Sequence, residues 1–377
     1  MIVLPYRLRK KFGPSACNFV EEVIDGMQDW VRVINKDDTV VYVNKPMREA
    51  IGIDTVGQKC YTLLGRTSPC PNCVSRRNLP EWSICKEEII NGRTFSVTSS
   101  PLKSDNADSE YTVVEVLHDI TELKEMSMAL ARQNERLKED LSMAMRLQCS
   151  FLPKNKFVSD KIDFSFIYRP CETLGGDFLD IFKIDKDHIG LYIADVSGHG
   201  VAASMLTMFL RTALDKSALS PKNALTALYT AYNKNDFGNE LYMAVFYSVI
   251  DTKNYTLTYS NAGLNVCPIL YSKEDFQILR ASGFPISNWV ESPDYTEVTI
   301  SINPKDRLFF YTDGIIEIRN KKMEQFGEER VVEHLLKSEV EPFQTLSQLI
   351  DKAISFCDSS NPDDIIDDIT IALLEIK

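Results

Sequence analysis

The chain has 377 residues, of which 44% are hydrophobic and 25% are charged. This length corresponds to about two domains of 100–200 residues, and the composition excludes wholesale disorder. Forty-two basic and 54 acidic residues give a formal net charge of −12. Nucleic acid is therefore not an expected partner, because phosphates select basic surfaces. The acidic excess leaves open a protein that gathers carboxylates around metal ions.

Membrane and secretion signals are missing from the sequence pattern. No apolar run approaches the roughly 18–20 residues that a membrane span needs. The first residues, MIVLPYRLRKKFG, place too few apolar residues before the basic cluster for a signal peptide. Nine cysteines are an odd number in a large chain, which does not fit a secreted disulfide framework. We expect a cytoplasmic protein without a membrane partner.

Short apolar runs separated by turn residues characterise residues 15–120. Two of these runs flank the polar turn Asn35-Lys36-Asp37-Asp38, as in a β-hairpin. Two later runs, 94–102 and 111–120, alternate with period two, as half-buried antiparallel strands do. The pattern predicts a small α+β domain built on an antiparallel sheet over residues 15–120.

Residues 121–152 change to a seven-residue period without glycine or proline. The pattern predicts one long helix that joins two domains. It forms either a parallel coiled-coil dimer or an amphipathic helix packed on its own domain, since most of the a positions are polar. The d positions are Leu123, Leu130, Leu137, Ala144 and Phe151, and the a positions are Ser127, Asn134, Leu141 and Gln148.

The third region, residues 153–377, contains longer strands and several helical patterns. The strands are apolar on both faces and need cover on both sides. Two stacked sheets with helices outside satisfy that need. The expected strands are 188–195, 241–251, 255–263, 307–314 and 369–376, and the expected helices are 201–217, 222–235, 328–338 and 343–357.

Acidic residues stand at the ends of several of these strands. Carboxylates held rigidly on separate strands can converge on hard divalent cations, which prefer oxygen ligands. Within DFLDIF, strand alternation puts Asp177 and Asp180 on opposite faces, so only one of them can reach a shared metal centre directly. Asp177, which adjoins the glycine pair, is the better candidate, and Asp180 is expected to have a structural or supporting role. The strand-end acids, each beside glycine or a second aspartate, are Asp177, Asp195, Asp313, Asp367 and Asp368.

Four motifs in this region resemble those of the metal-dependent serine/threonine phosphatases (PPM, class 2C-like). They are LGGDFLD (174–180), ADVSGHG (194–200), YTDG (311–314) and DDIT (367–370). The order and spacing are most similar to the branch of SpoIIE and the bacterial stress-response phosphatases. The resemblance covers about residues 150–377. It implies an αββα sandwich of two antiparallel sheets with two Mn²⁺ or Mg²⁺ ions at one end.

The resemblance also implies roles for single residues. Asp195 would bridge both metals, the backbone carbonyl of Val196 would bind one of them, Asp177 would hold the second, and Asp313 with Asp367 would hold the first, with Asp368 as the adjacent alternative. Two such ions lower the pKa of a bridging water and neutralise phosphoryl oxygens during in-line attack.

Three further positions bear on this chemistry. His199 is a candidate general acid for the leaving oxygen; the alternative is that it packs or hydrogen-bonds within its glycine-rich turn. Arg169 is a candidate contact for the substrate phosphate. In the run Asn261-Ala262-Gly263-Leu264-Asn265, leucine stands where this branch often has histidine, so we expect no chemical role for Leu264.

The first region resembles a PAS sensory domain. The hairpin, the strand segment NGRTFSVTSSPL and above all the closing HDITELKE (118–125) carry the likeness, over about residues 15–125. The resemblance implies ligand sensing or dimerisation, with a signal passed through the following helix.

Four cysteines fall within one short stretch of this region: Cys60, Cys70, Cys73 and Cys85. Four thiolates can hold Zn²⁺ or an iron–sulfur cluster, and the C-x₂-C pair can act as a redox dithiol. Free thiols in a loop are the alternative, because a single C-x₂-C lacks the second close pair of a zinc signature.

Together these patterns predict a homodimeric, PAS-regulated protein phosphatase. By resemblance, its substrate is a phosphorylated anti-anti-sigma (STAS-type) protein of a partner-switching pathway. The competing hypothesis is a non-catalytic sensor or scaffold that uses a phosphatase-like fold to bind a partner.

Overall fold

The computed structural model describes residues 18–51, 55–69, 83–102, 112–154, 160–235, 237–238, 240–273, 275–357 and 367–377. The chain divides between Arg136 and Leu137 into two compact units, which we describe separately. Across the described ranges, no helix combines the length and apolarity needed to cross a bilayer.

The amino-terminal unit is built on one antiparallel sheet. Its strands are β1 (Trp30–Asn35), β2 (Val40–Val43), β3 (Ile84–Ile90), β4 (Arg93–Leu102) and β5 (Thr112–Asp119). Its helices are α1 (residues 18–25) and α2 (Lys45–Ile51). The strand order is β2-β1-β5-β4-β3, in agreement with the expected α+β domain.

The hairpin predicted from the polar turn is β1–β2. The side-chain oxygen of Asn35 accepts hydrogen bonds from the N–H groups of Asp37 and Thr39 at 3.0 and 2.8 Å. Asp38 adopts the left-handed conformation with φ of 61°, which aspartate tolerates better than most residues. These local bonds close the turn and align the two strands.

One long helix, α3 (Thr121–Phe151), occupies the segment where a helix was predicted. It begins where the Asp119 carboxylate accepts the N–H of Thr121 at 2.9 Å, which caps the first turn. The side chains of Leu123, Leu130 and Leu137 are exposed, whereas Gln148 near the other end is buried.

The carboxy-terminal unit contains two five-stranded antiparallel sheets. Their strands are β6 (Ile162–Arg169), β7 (Asp177–Lys183), β8 (His188–Val196), β9 (Met243–Asp251), β10 (Thr256–Ala262), β11 (Ile269–Tyr271), β12 (Phe276–Ile278), β13 (Glu297–Ser301), β14 (Arg307–Tyr311) and β15 (Ile369–Ile376). The first sheet has the order β13-β10-β9-β8-β7 and the second β12-β11-β14-β15-β6.

Helices cover the outer faces of both sheets. They are α4 (Val201–Ala213), α5 (Pro221–Asn233), α6 (Gly314–Glu317), α7 (Gly327–Lys337) and α8 (Pro342–Cys357).

Strand alternation separates the layers of this unit. In β8, Leu191 and Ile193 enter the core that the two sheets share, whereas Tyr192 and Ala194 enter the core that α4 and α5 cover. Helices α7 and α8 pack on the second sheet. The result is the expected αββα sandwich.

Candidate active site

Two aspartates face each other across neighbouring strands of the first sheet. Asp177 begins β7, and Asp195 is its direct partner near the end of β8. Side chains opposite each other in an antiparallel pair have Cβ atoms about 4.5–5.5 Å apart, and like charges in such a pair repel. Asp177 is buried. The fold therefore concentrates negative charge at this end of the sheet.

Close backbone approach holds the segment before Asp177 against the turn that follows Asp195. The N–H of Val196 donates to the carbonyl of Gly176 at 3.1 Å. A Cβ atom on Gly176 would lie only 2.7 Å from the Val196 carbonyl oxygen and 2.8 Å from that of Gly198. Only glycine fits there, which brings the Val196 carbonyl to the same end of the sheet as the two carboxylates.

The second sheet contributes Asp313 and Asp367 to the same end. Asp313 follows β14 and is the N-cap residue of α6, where its backbone carbonyl accepts N–H groups of the helix. Asp367 stands two residues before β15, the neighbour of β14. Next to Asp313, a Cβ on Gly314 would lie 2.0 Å from the Asp368 carbonyl oxygen. The two segments are therefore packed backbone against backbone.

Asp368 has a different environment from its neighbour Asp367. One of its carboxylate oxygens accepts the N–H of Cys171 at 2.8 Å. The other accepts the N–H groups of Gly176 and Asp177 at 2.6 and 3.2 Å. Three backbone donors thus hold the Asp368 carboxylate, so this buried side chain fixes the loop that leads into Asp177. The Asp367 carboxylate accepts the N–H of Asp368 at 2.8 Å.

The electrostatics of the cluster follow from burial and mutual repulsion. Burial, then the charges of Asp313, Asp367 and Asp368, raises the pKa of Asp195 to about 7. Burial and Asp195 raise the pKa of Asp177 well above its ordinary value. Each ionised carboxylate disfavours the ionisation of its neighbours. A bound cation removes this repulsion, so such a cluster is suited to bind cations.

The pKa values of the two acids from the second sheet shift in the same direction. Burial and the nearby Glu317 raise the pKa of Asp313, while hydrogen bonding from the Asn265 side chain opposes the rise. Burial, with Asp313 and Asp368, raises the pKa of Asp367. The charges of Asp195, Asp313 and Asp367 therefore interact, and the three residues form one acidic cluster.

The donor set fits hard divalent cations in its chemistry. The cluster presents carboxylate oxygens and a backbone carbonyl, the ligands that Mg²⁺ and Mn²⁺ prefer. Within the described ranges, no three His, Cys, Asp or Glu side chains already stand close enough together to hold a metal ion. The cluster is thus defined by its converging strand ends and its shared electrostatics.

Sequence reasoning missed two side chains that orient the cluster. Thr312 donates its hydroxyl to the Asp177 carboxylate at 2.7 Å and accepts the N–H of Thr370 at 3.0 Å. Asn265 reaches Asp313. Thr312 lies inside the YTDG motif, which was the available signal, whereas nothing in the sequence places Asn265 beside Asp313.

The buried end of α3 also contacts this region. The Gln148 side chain, 4% exposed, donates to the Gly175 carbonyl at 2.8 Å and accepts the Gly175 N–H at 3.3 Å. It also donates to the Thr207 hydroxyl of α4 at 3.3 Å. Gln148 therefore ties the long helix to the glycine pair that precedes Asp177. The sequence pattern placed Gln148 in a heptad repeat and gave no sign of this contact.

His199 and Arg169 lie at the exposed rim of the cluster. His199 is 64% exposed, and its Nδ1 atom lies 3.1 Å from a carboxylate oxygen of Glu172. Burial raises the pKa of Asp367 and His199 opposes this rise, so the two residues are neighbours. Arg169 ends β6 opposite Ile369, next to the Asp367–Asp368 pair, and its side chain is exposed.

Asp180 lies on the opposite face of β7 from the acidic cluster. It is paired with Lys216, whose ammonium also lies over the ring of Phe182. Asp180 therefore belongs to the layer between the first sheet and α4–α5.

Of the four clustered cysteines, Cys70 and Cys73 lie outside the described residues. Cys60 is buried in the core of the amino-terminal unit, and Cys85 is exposed on β3. The metal or redox role of this group stays a prediction.

Comparison with known families is decisive for the carboxy-terminal unit. Residues 185–377, about half of the chain, match the family described as Stage II sporulation protein E (SpoIIE). The chain belongs to the SpoIIE family. Residues 28–122 match the PAS domain family. The predicted succession of a PAS domain and a SpoIIE-type phosphatase domain is thus confirmed.

Two curated relatives from Bacillus subtilis (strain 168) are similar to this SpoIIE-family chain. Phosphoserine phosphatase RsbP is 27% identical over 188 residues, which are 48% of this chain and 46% of RsbP. Phosphoserine phosphatase RsbU is 23% identical over 313 residues, which are 80% of this chain and 90% of RsbU. The chain spans less than half the length of two of the curated relatives that it matches.

A solved structure agrees with the fold of this family member. The SiaA-PP2C domain of Pseudomonas aeruginosa superimposes with a TM-score of 0.59 at 20% identity and covers 66% of this chain and all of that domain. The likeness supports the PP2C-like fold.

Proposed function

We propose that the chain is a metal-dependent protein phosphatase that hydrolyses phosphoserine or phosphothreonine. The observation that carries the proposal is the direct pairing of the buried Asp177 with the half-buried Asp195 on adjacent strands, in an acidic cluster that Asp313 and Asp367 complete towards its exposed rim. Buried like charges facing each other destabilise a fold and are retained where they bind cations.

We assign the ion-binding atoms within this cluster. Asp195, the Val196 carbonyl and Asp177 would hold one side of a two-metal centre, and Asp313 with Asp367 the other. Asp368 is assigned a positioning role instead, because three backbone N–H groups already engage its oxygens. When bound, two divalent cations lower the pKa of a water molecule and neutralise phosphoryl oxygens.

The residues at the rim have separate tasks in the proposed reaction. Water forms a new O–P bond while the bond from phosphorus to the serine oxygen breaks, which yields inorganic phosphate and a serine hydroxyl. His199, held by Glu172, is positioned to supply the proton that the leaving oxygen needs. Arg169, exposed beside Asp367–Asp368, binds phosphoryl oxygens.

The proposed substrate is a phosphorylated protein, specifically a STAS-type anti-anti-sigma factor. Support comes from the similarity to RsbU over 80% of the chain and from the name phosphoserine phosphatase that RsbU and RsbP carry. We further propose that the PAS domain regulates hydrolysis through α3, whose Gln148 contacts the loop before Asp177, in a homodimer.

Two aspartates on one strand provide the matched test. Asp177→Asn removes a proposed ligand, and we expect kcat for p-nitrophenyl phosphate and for a phosphoserine peptide in Mn²⁺ to fall at least about 100-fold. Asp180→Asn, three residues away on the opposite face of β7, should keep activity within about threefold. Undiminished turnover in Asp177→Asn, or in excess chelator, would contradict the proposal and favour the non-catalytic scaffold.

A further inference from the structure

An open groove of about 760 Å³ adjoins the acidic cluster. One wall is the end of β10 with the segment that follows it, from Asn261 to Cys267, and the other includes the segment after β12, from Arg280 to Gly283. Asn265 lines the groove and also hydrogen-bonds the carboxylate of Asp313. Asn265 therefore links the groove to the candidate active site.

The groove has rigid walls. Asn261 closes its own turn, because its side chain accepts the Leu264 N–H at 2.8 Å and donates to the Leu264 carbonyl at 3.0 Å. A Cβ atom on Gly283 would lie 1.9 Å from the Asn261 carbonyl oxygen, so the two segments pack with backbone against backbone. A preformed groove loses little entropy when an extended segment enters it.

Edge strands border the groove on both sides. Ile278 ends β12 and Val298 lies in β13, and both side chains line the groove. In the described part of the chain, β12 pairs only with β11 and β13 only with β10. Each is the outermost strand of its sheet. An extended peptide can therefore lie along this face and use backbone hydrogen bonds as well as side-chain contacts.

Arg280 supplies the positive charge of the groove. Its side chain is exposed and forms no ion pair with any described residue. Glu328, the acidic residue of the lining, already accepts the Tyr311 hydroxyl at 2.6 Å. Burial raises the pKa of the Cys267 thiol and the Arg280 charge opposes this rise, so the guanidinium stands near Cys267, two residues beyond Asn265. An anionic side chain on a ligand is the complementary partner.

We propose that this groove binds the segment of the phosphoprotein substrate that flanks the phosphorylated residue, and that Arg280 selects an acidic side chain in that segment. The inference rests on the proposed phosphatase function. In this arrangement an acidic residue a few positions from the phosphorylated one meets Arg280, while the phosphoryl group lies at the acidic cluster.

Peptides of matched length test this groove on the full chain. Two phosphoserine peptides with aspartate three positions before or after the phosphoserine are compared with the same peptides carrying asparagine. We expect kcat/KM for one of the aspartate peptides to be about tenfold higher than for its asparagine counterpart, because a charge-assisted hydrogen bond contributes a free energy of this size. Arg280→Ala should abolish this preference, and Arg280→Glu should reverse it in favour of a lysine peptide.

A second charge reversal is the control for changes in overall charge. Lys253→Glu changes the net charge by the same amount as Arg280→Glu. Lys253 lies in the turn between β9 and β10, at the opposite end of the sheet from Asp195, so this variant should retain the wild-type peptide preference. Equal kcat/KM for all peptides in the wild type, or the same preference in Arg280→Glu, would overturn this inference alone. Failure of the wild type to hydrolyse p-nitrophenyl phosphate in Mn²⁺ would overturn the proposed function and this inference with it.

Discussion

At the residue scale, the central feature is a carboxyl group whose ionisation the fold opposes. Burial and three neighbouring acids raise the pKa of Asp195 to about 7 from 3.8. The folded chain therefore holds this proton more tightly than the unfolded chain does. Below about pH 4, Asp195 is protonated in both the folded and the unfolded chain and does not change the free energy of unfolding. As pH rises from about 4 to about 7, the unfolded chain loses this proton more readily, so the metal-free fold loses stability.

This linkage predicts the pH dependence of stability without metal. In excess chelator, the melting temperature of the wild type should fall between pH 5 and pH 8, and Asp195→Asn, which cannot ionise, should show a smaller fall. Asp251→Asn is the control, because the pKa of Asp251 is lowered and its titration ends below this range. Parallel curves for wild type and Asp195→Asn, measured by differential scanning calorimetry, would refute the linkage.

The sequence predicted the acidic residues of the site but not the groups that hold them. Asp177, Asp195, Asp313 and Asp367 were recognisable because each stands at a strand end, either within three residues of a glycine or beside a second aspartate. Their partners depend on tertiary contacts between positions far apart in the chain. The hydrogen bond from Thr312 to Asp177, for example, joins residues separated by 135 positions. Local patterns carry no information about such pairs.

At the element scale, α3 combines an exposed apolar repeat with a buried polar contact. Leu123, Leu130 and Leu137 remain exposed within a single chain. At the other end, Gln148 binds both backbone groups of Gly175. A second helix along the exposed repeat would bury these leucines, and a shift of the end of α3 that carries Gln148 would change the contact with Gly175.

Dimerisation through α3 is testable with one pair of substitutions. Leu137→Asp places a charge at a d position, and we expect light scattering to report a monomer, since a charge there disfavours a coiled coil. Met128→Asp adds the same charge to another exposed apolar position of α3, outside the a and d positions, and should remain dimeric. A wild-type monomer, or a Leu137→Asp dimer, would contradict the coiled-coil hypothesis.

Long elements were predictable, and short edge elements were not. The segment 188–195 reads as a strand because its apolar residues form one continuous run, and the structure shows β8 there. Strands β11 and β12 have three residues each, too few to show a period. The apolar run at 307–314 extended past the true end of β14 at Tyr311, because Asp313 is the N-cap residue of α6, which begins at Gly314. The proposed peptide groove lies among these short elements.

At the scale of the whole molecule, the chain joins a PAS domain to a SpoIIE-type phosphatase domain. Part of the net charge of −12 is concentrated at one end of the αββα sandwich, where several aspartates lie together. Two divalent cations would neutralise four charges there. Metal binding is therefore expected to stabilise the carboxy-terminal unit, since it offsets the repulsion between Asp177 and Asp195.

The central claim is that the acidic cluster holds two divalent cations. Its most direct test is the number of Mn²⁺ ions bound by the purified full chain, measured by equilibrium dialysis. We predict about two ions per chain at millimolar Mn²⁺, and loss of both sites or of most of their affinity in Asp195→Asn. A wild-type chain that binds no Mn²⁺ under these conditions, or an Asp195→Asn chain with the full complement, would contradict the account.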